Sequence, residues 1–180
     1  MVCSELKLHR YATKRESQVA SALTLLKSHL FQYQGYVSAA LVLGGFDLHG
    51  PHLFTVYPHG STDSLPFATM GSGSLNAMAV FESGYKDDMT KEEAMKLVVD
   101  AIKAGIFNDL GSGSNVDLCI ITKDGAEYLR NYDKPNPRTY VRRQAYTFPP
   151  GTTPVLRSKV TPLCDMVTVT EGAESMEVDA

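Results

Sequence analysis

Apolar residues recur at helical spacing in two long stretches, and between and after these the chain changes to short strand-like runs. From about Ser17 to Gln32, Val19, Ala22, Leu23, Leu26 and Leu30 sit at i, i+3, i+4, i+7 and i+11, one apolar stripe that Gly35 closes. From Thr90, the residues Ala94, Leu97, Val98, Ala101 and Ile102 line one face of a second helix. Thr90 and Glu93 fit a capping box at its start, and Gly105 lies near its end. Val2 and Leu6 share a face of what reads as the end of a further helix, with no capping residue ahead of them. A short helix is predicted from about Leu75 to Phe81.

The strand-like runs differ among themselves. VSAALVLGGF is continuous and apolar, which predicts a strand buried on both faces. DLHGPH is a turn leading to a second strand, LFTVYP, so the two form a hairpin. Pro58 to Pro66 read as a polar loop, and FATMGSGS as a short strand entering a glycine turn. NVDLCIIT is a strand, and Lys123-Asp124-Gly125 turns it back into AEYLRNY. Pro135, Pro137, Pro149, Pro150, Pro154 and Pro162 exclude a helix or central strand from the last third. Helices with mainly hairpin-linked strands predict an α+β layered sandwich with an antiparallel sheet.

Composition narrows the class. At 180 residues and 43% hydrophobic content the chain suits one domain with a real core. A net charge of −3 does not favour a nucleic-acid partner, and Arg138, Arg142 and Arg143 read as a solvated loop. Cys3, Cys119 and Cys164 form neither a disulfide framework nor a zinc pattern, which suits a reducing compartment. MVCSELKLHR is too charged for a signal peptide, and YVSAALVLGGF is too short to span a bilayer. No membrane partner is expected; the protein is expected to be soluble and intracellular.

Two corners share a design, MGSGS at Met70–Ser74 and LGSGS at Leu110–Ser114. Glycines there let backbones approach closely, and Ser72, Asp109 and Ser112 can offer polar groups to one centre. On the residues alone, turns with local side-chain-to-backbone bonds remain the simpler account. Neither corner fits a phosphate-binding loop or a G-x-S-x-G elbow. A triad of Ser72, His59 and Asp109 is a chance assembly that a chain of this length readily offers. His49 and His52 read as exposed turn residues with no third ligand at metal spacing, so neither metal nor cofactor is expected. Met70, Met78, Met89 and Met95 read as packing residues.

YQGYVSAALVLGG, GPHLFTVYPHGSTDSLPFATMGSGS, AGIFNDLGSGSNVDLCIITKDG and PNPRTY together resemble the β-type subunits of the proteasome core particle, from about Leu6 to Cys164. The likeness is strongest to the trypsin-like second-position branch in its plant form. The resemblance implies an N-terminal-nucleophile hydrolase fold, a four-layer αββα sandwich, whose nucleophile is an N-terminal threonine that uses its own α-amine or a water as base. The family's Asp-x-x-Ser-Gly motif falls on Asp109, Ser112 and Gly113, and its Gly-Ser-Gly serine on Ser72. These three polar side chains are thereby expected to support a nucleophile held elsewhere.

Met1 falls inside what resembles the family's first long helix. The segment carrying the threonine, its partner aspartate and lysine, the oxyanion donor and much of the specificity pocket is therefore expected to be missing, along with strands of both sheets. Thr13 and Thr24 are not candidates for the nucleophile. The division implied is a partial β-type domain over residues 1–146, an extended arm over 147–170 that wraps a neighbouring subunit, and an acidic disordered tail over 171–180.

The resemblance implies a threonine-type endopeptidase subunit acting on polypeptides in ubiquitin-dependent degradation in cytoplasm and nucleus. Its implied partners are other α- and β-type subunits in stacked rings. The alternative is a catalytically inactive structural chain that joins or competes in the β ring. Exposed sheet edges and uncovered apolar helix faces predict poor solubility for the isolated chain. A sharp two-state melt from a monodisperse monomer is the result that would contradict it.

Overall fold

A computed structural model describes residues 1–169; the acidic stretch expected over 171–180 lies outside them. The chain divides into two units, Met1–Thr139 and the residues from Tyr140 onward. The first holds the regular structure: α1 (Val2–Thr13), α2 (Val19–Gln32), β1 (Leu41–Asp47), β2 (Gly50–Val56), β3 (Thr62–Ser64), α3 (Ser74–Gly84), α4 (Lys91–Asn108), β4 (Val116–Thr122) and β5 (Gly125–Asp133). In the second, the described residues form no strand or α-helix, only bends, turns and one 3₁₀ turn at Leu163–Met166.

Two antiparallel sheets form, β1-β2-β3 and β4-β5. The first turns through only Leu48 and His49, so Gly50 and Pro51 of the expected turn already pair, opposite Asp47 and Phe46. Lys123 and Asp124 make the equally tight turn between β4 and β5. Helix α2 packs on β1 and β2, β1 meets β4, and α4 touches both β4 and α3. The core lies where α4 covers β4: Val99, Val116 and Leu118 are buried there, with Met95, Ile106 and Leu129 packed around them. The capping box is made as the sequence predicts. Glu93 N–H donates to Thr90 Oγ1 at 3.3 Å, and Thr90 N–H donates to Glu93 Oε2 at 2.9 Å. Such a cap is worth about 1 kcal/mol.

Several expectations are corrected. β1 is not buried on both faces; its exposure alternates. Its odd positions face α2, where Val19 packs against Gly45 so closely that a Cβ on Gly45 would lie 2.5 Å from Val19 Cγ2. Its even positions face away, and Val42 and Phe46 are exposed. The continuous apolar run therefore reflects two different surroundings, a helix on one side and the β4 side on the other. FATM is irregular rather than a strand, because it leads directly to the glycine turn before α3. The Pro58–Pro66 loop contains β3, which adds to the edge of β2 through Phe54, Thr55 and Val56. Helix α4 runs past Gly105 to Asn108.

His52 is likewise not an exposed turn residue; it is half-buried in β2 and bonds Asp47 at 3.0 Å. Asp47 ties β1 to α2. Helix α2 has Gln18 at its N-cap with no side-chain cap bond. The Asp47 carboxylate substitutes for one from the neighbouring strand, accepting Val19 N–H at 2.9 Å and His49 N–H at 2.8 Å. Its side chain is only 4% exposed. The Val19 N–H is the main cause of a pKa lowered to about 2, with His49 N–H and His52 assisting against desolvation.

Two outcomes follow from this packing. The folded carboxyl titrates below its ordinary value, so Asp47 contributes its full stabilisation above about pH 4 and loses it as pH falls through about 2. Hydrogen exchange should show Val19 N–H and His49 N–H losing protection across that window, and Asp47→Asn should flatten the dependence. At Gly60, φ is +96° and an added Cβ would sit 2.7 Å from Lys27 O and 3.0 Å from Phe31 N. Both are backbone atoms of α2 that cannot move aside, so Gly60→Ala should cost about 3 kcal/mol, read as a lower urea midpoint.

Candidate functional site

Asp109 stands at the C-cap of α4, its N–H bonded to Gly105 O at 2.9 Å and its backbone already extended, φ −100° and ψ 121°. The helix must end there because the next residues turn back: Ser112 N–H donates to Asp109 O at 3.1 Å and Gly111 N–H to Asp109 Oδ1 at 3.2 Å. This Asx-type bonding fixes the carboxylate against its own backbone. The other corner arrives from α3, whose N-cap is Gly73.

The sequence singled out Ser72, Asp109 and Ser112, and the fold brings all three together. Ser72 Oγ donates to Asp109 Oδ2 at 2.6 Å, and Ser112 Oγ donates to the same oxygen at 2.6 Å. Ser72 is 37 residues from Asp109 in sequence, so only the packing of α3 on α4 can join them. The Ser112 hydroxyl is the largest cause of a lowered Asp109 pKa, followed by the Ser72 hydroxyl and the Gly111 N–H. Asp109 is thus a carboxylate at neutral pH and a poor general base.

His59 does not take part. Its ring packs against Gly35 near the end of α2, where a Cβ on Gly35 would meet His59 Cε1 at 2.5 Å. Gly113 opens onto free space, with nothing within 4 Å of an added Cβ. Two glycines of the corners, whose close approach the sequence suggested without singling them out, matter more. A Cβ on Gly73 would come within 3.3 Å of both Gly105 Cα and Ser112 Oγ, and one on Gly111 within 3.2 Å of Ser72 Oγ. The absence of these two Cβ atoms lets the corners close on each other. The repeated Gly-Ser-Gly pattern was the available signal.

Each serine has a single O–H and gives it to Asp109, which leaves the two hydroxyl oxygens only lone pairs to offer. The cluster is therefore an acceptor site beside a negative charge, suited to an N–H donor such as an amine. It opens into a cleft of about 1130 Å³ lined by Val42 and Leu53 of the first sheet, Phe81 of α3, Leu97 and Ile102 of α4, and Ile121 of β4. Among the described residues, no group of three His, Cys, Asp or Glu side chains converges as a metal site, and no helix is long and apolar enough to cross a membrane.

The proteasome subunit family matches residues 1–121, and the family of proteasome beta subunits' C-terminal segment matches residues 135–170. The chain is 65% identical to proteasome subunit beta type-7-A of Arabidopsis thaliana over 98% of its own length and 64% of the relative's. It is 58% identical to proteasome subunit beta type-7 of Dictyostelium discoideum, over 94% of this chain and 63% of the relative. With proteasome subunit beta type-2 of Saccharomyces cerevisiae it shares 54% identity, over 92% of this chain and 64% of the relative. The chain thus spans just under two thirds of the length of these relatives. With both family matches and this identity along nearly its whole length, the chain belongs to the β-type subunits of the proteasome.

Proposed function

We propose that this chain acts as a second-position β subunit of the proteasome core particle. In that role its site supports an N-terminal threonine endopeptidase of trypsin-like specificity, cleaving polypeptides in ubiquitin-dependent degradation in cytoplasm and nucleus. The observation that carries this is the acceptor-only pair, Ser72 and Ser112, held by one ionised carboxylate. A primary amine has two N–H groups and one lone pair. If the two hydroxyl oxygens accept the N–H groups, the lone pair stays free to take a proton from an adjacent hydroxyl. Once protonated, the amine becomes an ammonium, and the Asp109 charge stabilises it.

The threonine and its oxyanion donor would come from the part of the relatives' length that this sequence does not span. The cleft supports that reading. It lies beside the acceptor site, between the first sheet, α3, α4 and β4. A chain completed in this way would be the four-layer αββα sandwich, with α1 and α2 outside one sheet and α3 and α4 outside the other. In this reading residues 147–170 are the arm that wraps a neighbouring subunit, since the C-terminal family match includes them. The second reading, an inactive structural chain in the ring, rests on the same match and needs no nucleophile.

Intact mass of this subunit, taken from purified proteasome particles, separates the two. A mass for a longer chain beginning at threonine supports the active subunit. The mass of the chain from Met1 supports the inactive one. In the particle with the full-length subunit, Asp109→Asn should lower kcat for basic-residue substrates about 10²-fold and change KM little. The amide loses the charge and donates to one serine instead of accepting from both. An unchanged kcat would remove Asp109 from the mechanism.

A further inference from the structure

The corner that presents Ser112 has two ends. At its start, Asp109 accepts from Ser112 N–H, Gly111 N–H and both serine hydroxyls. Toward its finish, Gly113 has open space around it and Ser114 stands at φ +66°. A left-handed conformation strains a residue that carries a Cβ, and it persists only where its surroundings hold it. Strand β4 begins to pair at Val116, so Asn115 is the residue through which the corner joins the second sheet.

Asn115 Nδ2 donates to Asn131 Oδ1 of β5 at 3.0 Å. Asn131 is itself left-handed, with φ +54°, and its N–H donates to Asp117 Oδ1 of β4 at 2.7 Å. Val116 pairs with Asp133 and Leu118 with Leu129, so Asp117 faces Arg130, Asn131 and Tyr132, a bulge in β5. Bulges re-aim side chains, and this one turns the Asn131 amide toward the corner. Just past the bulge, Asp133 takes Lys103 Nζ of α4 at 2.7 Å. These bonds close a circuit. Helix α4 carries Asp109 at its end, Asp109 holds Ser112, and the corner runs on to Asn115. Asn131 holds Asn115, and Asp133 returns to α4 through Lys103.

We propose that Asn131 is a positioning residue for Ser112: through Asn115 it fixes where the corner places the acceptor oxygen that meets the nucleophile's amine. The inference rests on the endopeptidase reading above and adds to it a residue that acts on the reaction without touching the substrate. The Asn115–Asn131 bond is exposed, so its contribution to stability is small. Its effect is on distance, because an acceptor displaced by a fraction of an ångström no longer meets an N–H at bonding length.

Asn131→Gly removes the amide but keeps the left-handed backbone and its N–H to Asp117, since glycine adopts positive φ freely. In particles carrying the full-length subunit, it should lower kcat for basic-residue substrates about tenfold and leave KM unchanged. The acid limb of the kcat profile should move to lower pH, because a displaced Ser112 oxygen stabilises the protonated amine less. The deciding comparison is with Ser112→Ala, alone and combined with Asn131→Gly. If Asn131 acts through Ser112, the double variant has the kcat of Ser112→Ala. Losses that multiply, a loss confined to KM, or a loss without the pH shift would overturn the positioning role and leave the subunit reading intact. Should Asn131→Gly fail to enter particles, Asn115→Ala removes the donor of the same bond, leaves β5 untouched and is held to the same outcomes. An unchanged kcat in Ser112→Ala would instead remove the acceptor site from the mechanism, and the endopeptidase reading would fail with it.

Discussion

One carboxylate oxygen, Asp109 Oδ2, receives hydroxyl hydrogens from two corners of the chain, and the geometry of the site depends on that convergence. It requires α4 to end where it does, α3 to begin beside it, and the space between them to be free of two Cβ atoms. Gly73 meets Gly105 across the α3–α4 contact, and Gly111 meets the Ser72 hydroxyl. The glycines thus set the distance and the aspartate sets the polarity. Both hydrogens are spent inward, so the site faces the cleft with lone pairs, and its recognition chemistry is that of an acceptor.

A second carboxylate does comparable work at the far side of the first sheet. Asp47 caps α2 from β1 and so fixes the side of the sheet on which the helix lies. That choice leaves the even positions of β1 for the cleft. The two aspartates share a mechanism, an ionised group whose hydrogen-bond donors hold its pKa down. They differ in where the unused face points: Asp47 is closed off by α2 and His52, while the Asp109 cluster remains open on the serine side.

The segment after Tyr140 follows another physical rule. It is ordered by proline and local turns, and its stabilising groups point outward. Its charge is opposite to that of the folded body.

What the sequence determined by itself is the local grammar. The α4 capping box, the α2 stripe, the Lys123-Asp124 turn and the proline-punctuated end are each set by a few adjacent residues, and each forms as read. Ser72, Asp109 and Ser112 were singled out by their two glycine corners and by the family resemblance, while on the residues alone local turns were the simpler account. The faces were not legible. An apolar run such as LVLGGF reads the same whether both sides are buried or one looks into a cleft, since burial belongs to whatever packs against it. Likewise His52 looks like a turn residue until the register of β1 on β2 places it beside Asp47. Tertiary structure alone decided that Ser72 and Ser112 share one oxygen, because a hydrogen bond across 37 residues is fixed by how two helices pack and by no property of either segment.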